Sequence, residues 1–226
     1  MNEENVHTED APKEPSSGRL IATLGIAGFF SGILLVGAYL FTLPMIQANK
    51  ARALEAAIYK VLPGSKSFET LVLKDGTLEV FKNAEASNQG APPNSIFAGY
   101  DSTGALVGIA VPAEEPGFQD IIVGIYGYNP SAKTIIGFEV LDSKETPGLG
   151  DKIVKDMAFK TNFAALSVEP ELVVVKKGQK KNPNEVEAIT GATISSKAVV
   201  RLLQKSIGNW KPAIEKYIAT AQKDKQ

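Results

Sequence analysis

Two short strings in this chain combine residue types in ways that ordinary loops do not require. The first is Glu187-Ala188-Ile189-Thr190-Gly191-Ala192-Thr193-Ile194-Ser195-Ser196. Thr190 and Thr193 flank two minimal residues, Gly191 and Ala192, so a bulky group or another protein's active site can approach the Thr193 hydroxyl. A helical pattern begins here, with Ser195 or Ser196 as its expected cap. A phosphate carried on Thr193 would therefore meet free amides and the positive end of the macrodipole. Lys197, one turn further on, is placed to add a counter-charge. The alternative reading of the same string is a plain capped helix start. The second string is Glu145-Thr146-Pro147-Gly148-Leu149-Gly150, between a strand and a helix. Two glycines and a proline in six residues make a tight turn that exposes backbone amides, and such a turn can cradle a phosphate or a planar ring. It can equally be no more than a strand-to-helix connector.

Other chemistries are closed off by composition. There are no cysteines, which removes thiolate metal sites, iron–sulfur ligation, thiol catalysis and disulfides. The single histidine, His7, lies in a polar stretch ahead of the first apolar segment. Redox chemistry, if present, has to come from an organic cofactor. Among 226 residues the formal net charge is -1, with no basic face to suggest nucleic acid. The one lysine cluster, Lys176, Lys177, Lys180 and Lys181, reads as a solvated loop. No Gly-x-Gly-x-x-Gly turn follows a strand, so a bound dinucleotide is not expected.

The elements around these strings define an α+β chain: one N-terminal transmembrane helix, then a largely antiparallel sheet domain with helices at its ends. Residues 1–19 carry scattered charge and proline and read as a disordered tail. From Leu20 to Leu43 no residue is charged. At the helical rise that stretch spans roughly 36 Å, more than the hydrocarbon core of about 30 Å. Residues 20–43 are thus expected to cross a membrane once, uncleaved. The flanking charges, Lys13 and Arg19 before and Lys50, Arg52 and Lys60 after, do not choose a side. Residues 44–66 read as an amphipathic connector helix stopped by Pro63-Gly64. Residues 67–226 form the soluble domain. Strands are predicted over Glu69–Leu73, Thr77–Lys82, Ser95–Tyr100, Ala105–Val111, Ile121–Tyr128, Thr134–Leu141 and Leu172–Lys176, with Asp75-Gly76 as a hairpin turn. Helices are predicted over Asp151–Lys160 and from Ser195 onward, where Val199, Leu202, Leu203, Ile207 and Trp210 share a face.

A single apolar span, then Glu-Thr-Pro-Gly-Leu-Gly at 145–150, then Thr-Gly-Ala-Thr at 190–193, resembles the RnfG family of the Rnf electron-transport complex. That family is related to NqrC, of the sodium-pumping NADH:quinone oxidoreductase. The resemblance runs from about residue 20 to 220. It implies FMN as cofactor, joined by a phosphoester to Thr193 by a flavin transferase, with Thr190, Gly191 and Ala192 as the rest of the attachment motif. By motif position only, it puts Glu145, Thr146, Gly148 and Leu149 near the flavin. It further implies other membrane subunits of an Rnf-type ferredoxin:NAD complex as partners and a domain outside the cytoplasm, anchored in the inner membrane. Two departures stand out. The transferase motif usually opens on aspartate, where this chain has Glu187. An aromatic-glycine-glycine run before the central hairpin is replaced by Gly117-Phe118-Gln119-Asp120. Two rivals share the sequence: a flavin-bearing donor or regulator for another periplasmic redox system, and a non-redox anchored scaffold whose Thr-Gly-Ala-Thr is only a helix cap.

Overall fold

The computed structural model describes residues 16–81 and 92–223. The tail expected over 1–19 lies outside these residues as far as position 15, as does Lys82 at the end of the second predicted strand. Two units emerge, residues 1–46 and 47–226. In the first, helix α1 (Ser17–Val61) contributes its apolar part. Its large side chains, including Leu24, Phe29, Phe30, Leu34 and Phe41, are exposed on all sides, and the helix is long and apolar enough to cross a membrane. The hydroxyls of Thr23 and Thr42 turn back onto the carbonyls of Arg19 and Ala38, at 2.8 and 2.9 Å, so neither needs water.

The second unit is built on seven antiparallel strands: β1 (Ser67–Lys74), β2 (Thr77–Val80), β3 (Ser95–Tyr100), β4 (Leu106–Pro116), β5 (Ile121–Asn129), β6 (Thr134–Asp142) and β7 (Leu166–Ser167). Their order is β2-β1-β3-β4-β5-β6-β7, a meander interrupted only at the first edge. Both faces of its centre are covered, which is why β3 reads as a nearly continuous apolar run. Ile96, Ala98, Ile109, Val111 and Tyr126 point to one face, under Val199, Leu202, Leu203 and Ile207 of α4 (Thr193–Lys223). Phe97, Ala110 and Ile125 point to the other, under Ala57, Ile58, Val61 and Leu62 at the end of α1. Strand periodicity of two sorts these residues cleanly.

A row of glycines lets the end of α1 approach so closely. A Cβ on Gly99 would lie 2.6 Å from Leu62 Cδ1, and one on Gly137 would lie 2.7 Å from Val61 Cα. Gly127, paired with Gly137 across β5 and β6, faces the Val61 carbonyl.

Three departures from the sequence expectations bear on the site. The helix predicted over Asp151–Lys160 is two short ones, α2 (Lys152–Lys155) and α3 (Met157–Thr161). They part at Asp156, whose extended backbone lets its side chain accept from the Phe159 amide at 3.2 Å, a local cap that outcompetes helix continuation. A second, parallel pair of strands, β8 (Val173–Val175) and β9 (Glu185–Glu187), closes the lysine-rich loop between them. Finally, α4 begins at Thr193 rather than at Ser195 and continues through Pro212.

Candidate functional site

Three connections converge at the start of α4. Gly117–Asp120 joins β4 to β5, residues 143–151 lead from β6 into α2, and residues 188–192 lead from β9 into α4. Glu145, in the second of these, ties the first to the opening turn of α4. One carboxylate oxygen accepts the amides of Phe118 and Gln119 at 2.8 and 3.0 Å, and the other accepts the Ser195 hydroxyl. Beside it, Thr146 donates its hydroxyl to the Gln119 side chain at 3.0 Å. Burial pushes the Glu145 carboxyl up, but the Ser195 hydroxyl and the amides of Gln119 and Phe118 outweigh it and hold the group below the usual carboxylate value. Each of these hydrogen-bond partners is a donor, which favours the charged form in a buried setting.

The four hydroxyls of the Thr190–Ser196 string differ sharply in access. Thr190 and Thr193 are exposed, whereas Ser195 and Ser196 are 2% and 0% exposed. Gly191 sits at φ +84°, a left-handed conformation that side chains disfavour, and the turn closes through the Ala192 amide on the Ile189 carbonyl at 3.0 Å. Neither serine caps the helix as expected, because the helix has already begun. Ser196 instead accepts the Ile189 amide at 3.1 Å and donates to the Ala192 carbonyl at 2.9 Å, locking the turn that precedes the helix.

The two sequence strings do meet. Leu149 Cδ2 comes within 3.8 Å of the position a Cβ on Gly191 would take. Gly148, at φ +76°, turns the loop that presents Leu149. Ala192 is buried beneath the turn. Lys197 is exposed one turn into α4 and joins no ion pair among the described residues. Glu187, the last residue of β9, accepts the amides of Gly178 and Lys180 at 3.0 and 3.3 Å and so organises the lysine-rich loop.

Sequence reasoning misses two participants. It assigns the Phe118 turn no contact, yet the turn is pinned to Glu145 and its ring is 65% exposed. A large aromatic inside a Gly-Phe-Gln-Asp turn is the available signal. Ser195, read as a cap, is the buried partner of Glu145. Phe118, Leu149 (50% exposed) and Ile194 (52% exposed) form apolar surface on the segments that converge at the start of α4, which Thr193 opens. Exposed apolar side chains, a left-handed glycine and an accessible hydroxyl at a long helix's N-terminus fit a planar aromatic group that carries a phosphate.

Comparison with known proteins bears on the same segments. The FMN-binding domain family model matches residues 117–208, a range that holds the Phe118 turn, the 145–150 loop and the first half of α4. The G subunit of the ion-translocating oxidoreductase complex of Methanosarcina acetivorans is 30% identical over 189 residues, covering 84% of this chain and 92% of its own. The G subunit of the Na(+)-translocating ferredoxin:NAD(+) oxidoreductase complex of Acetobacterium woodii is 34% identical, over 66% of this chain and 69% of its own. Among solved structures, NqrC of Shewanella oneidensis superposes with a TM-score of 0.61 at 20% identity, covering 76% of this chain and 99% of that one. This last likeness concerns the fold.

Proposed function

The chain belongs to the RnfG family, the G subunits of ion-translocating oxidoreductase complexes, and from that membership we propose that it holds one FMN through a phosphoester to Thr193 on the extracytoplasmic side of the membrane. It is a membrane-anchored flavoprotein that relays electrons within an ion-translocating oxidoreductase complex, with the other subunits of that complex as its partners. FMN supplies reversible electron uptake, which the side chains of a domain with neither cysteine nor histidine do not offer.

The observation that carries the attachment reading is that, of the two exposed threonines, Thr193 is the one at the start of α4. Thr193 stands open at the first position of α4, while Ser195 and Ser196 are buried and already bonded. A phosphoester there lies against the free amides of the first turn, an arrangement worth about 0.3–1 kcal/mol when exposed. Lys197 adds positive charge on the same face, four residues on. Gly191 and Ala192 keep the approach clear for a flavin transferase. Leu149, Ile194 and Phe118 offer apolar surface to the ring, while Thr146 and Gly148 shape the loop that carries Leu149. Glu187 takes the acidic position of the transferase motif.

The test is intact mass and peptide mapping of the chain purified from membranes of cells that also express a flavin transferase. One FMN increment, on the peptide containing Thr193, is the expected result, with a fluorescent band that survives denaturing electrophoresis. Absence of covalent flavin, or its recovery on another residue, would overturn the assignment.

A further inference from the structure

We infer that Glu145 is a positioning residue and not a ligand of the flavin: its carboxylate fixes the Phe118 turn and the Leu149 loop against the first turn of α4. The inference rests on the reading of Thr193 as the flavin-bearing residue.

The hydrogen-bonding capacity of Glu145 is mostly taken up by the chain itself. A carboxylate offers about four lone-pair sites. Phe118, Gln119 and Ser195 occupy three of them with donors from the chain itself. What remains is walled in. A Cβ on Gly150 would lie 2.5 Å from one carboxylate oxygen and 2.9 Å from the Ser195 hydroxyl oxygen, and a Cβ on Gly117 would press on the other oxygen. Two glycines are thus needed merely to let the protein close around Glu145, which is 5% exposed. At that burial little of the carboxylate is open to a ring nitrogen or carbonyl of a bound group.

Glu145 also has leverage over two exposed apolar side chains. Phe118 and Leu149 are exposed, so little packing decides where they stand. Phe118 is held through its own amide on Glu145. Leu149 lies four residues beyond Glu145 in a loop closed by the amides of Leu149 and Asp151 on the Thr146 carbonyl, at 3.2 and 3.3 Å. Ser195 follows Thr193 by two helical residues, whose Cα atoms are about 5.5 Å apart by helix geometry. One carboxylate therefore registers both apolar walls against the residue that bears the flavin. Its ionised state makes these charge-assisted bonds, stronger than neutral ones.

Position and charge at Glu145 can be separated by substitution. In a Glu145→Gln variant the amide oxygen still accepts from Phe118 and Gln119, and the amide nitrogen donates to the Ser195 oxygen. Geometry is preserved while the charge is lost. Glu145→Ala removes every tie, and Ser195→Ala removes only the tie to α4.

The experiment uses the full-length flavinylated protein in detergent, with FMN stoichiometry read by intact mass and ring order read by visible-region circular dichroism and fluorescence anisotropy of the attached flavin. Wild type and Glu145→Gln are expected to share one FMN per chain and the same flavin dichroism. Glu145→Ala and Ser195→Ala are each expected to lose dichroism and anisotropy, and the double variant to lose no more than Glu145→Ala, which already removes the bond that Ser195→Ala deletes. If Glu145→Ala fails to fold, Ser195→Ala, which deletes a single oxygen, decides. Two results would overturn the inference. One is a Glu145→Gln protein perturbed like Glu145→Ala beside an unperturbed Ser195→Ala, which would mean that Glu145 acts on the ring directly. The other is a lowered melting temperature with unchanged flavin signals in Ser195→Ala, which would make the tie structural only. A wild-type chain without an FMN increment instead sinks the underlying flavin reading.

Discussion

The carbonyl oxygen of Val61 occupies the space that a side chain on Gly127 would need. Gly137, in register across β5 and β6, faces the Val61 Cα from the neighbouring strand. A backbone group cannot turn aside as a flexible side chain can, so a methyl at either glycine must push the helix end off the sheet. Gly127→Ala in the full-length protein is expected to destabilise the domain by about 3 kcal/mol, at the upper end for overpacking. Gly208→Ala makes the control, because a Cβ there meets nothing within 4 Å on an exposed helical turn. It should stabilise by about 0.5–1 kcal/mol. Denaturant midpoints that move in the same direction for both variants would refute the close-packing account.

That glycine seat was not legible in the sequence, and the reason is physical. A glycine in a strand weakens it locally, and only the partner lying across the sheet shows why Gly99, Gly127 and Gly137 are tolerated. The hairpins were legible because their turns are local: Asp75 and Gly76 both take positive φ, as their residue types allow. The face of α4 was legible because Val199, Leu202, Leu203 and Ile207 repeat at helical spacing and all reach the core. The two-residue β7 carries no period of its own and exists by pairing with Thr134 and Ile135. Within the site, the strings at 145–150 and 190–193 were visible as composition. The bond between Glu145 and Ser195 joins residues fifty positions apart and leaves no local trace.

On the proposed attachment, access and position at the helix start together select the hydroxyl that carries the flavin. Thr193→Val is expected to abolish covalent FMN while changing stability by no more than about 0.5 kcal/mol, as for other exposed substitutions. Thr190→Val should keep the linkage, because Thr190 belongs to the turn and not to the helix start. Ser195 and Ser196 should not take over in the Thr193 variant, since both are buried and bonded. Peptide mapping of the three proteins checks this. FMN found on either buried serine would contradict the access argument, and FMN on Thr190 would contradict the assignment to the helix start.

Glu115, at the end of β4, is buried and receives Lys205 on both oxygens at 2.8 Å and Arg201 at 3.1 Å, which fastens the sheet to α4. Lys205, and after the opposing effect of burial Arg201, hold its carboxyl below the ordinary value of 4.5. A depressed folded value means that the bond network stabilises the protein above pH 4.5 and loses that contribution as pH falls through the lowered value. Both cations are substantially exposed, so the net effect is expected to be about 1 kcal/mol. Melting temperatures of wild type and Glu115→Gln should differ at neutral pH and converge on acidification. Parallel curves down to the acid limit would show that the ionised form of Glu115 is not what holds α4 there.

The orientation of the anchor is where the flanking charges say least. Arg19 precedes the apolar stretch, while Lys50, Arg52 and Lys60 follow it, and a domain as long as residues 67–226 crosses with little regard for such charges. The outward reading leans on family membership and suits a chain that carries no thiol into an oxidising compartment. That same absence of cysteine makes the test clean, because an introduced thiol is the sole target for a maleimide. Glu171 is exposed between β7 and β8, and Glu171→Cys should react in intact cells with a membrane-impermeant maleimide, after permeabilising an outer membrane where one is present. Glu4→Cys, ahead of α1, should react only after lysis. Labelling of Glu4→Cys in intact cells, with Glu171→Cys protected, would put the FMN-binding domain on the cytoplasmic face and remove the proposed extracytoplasmic role.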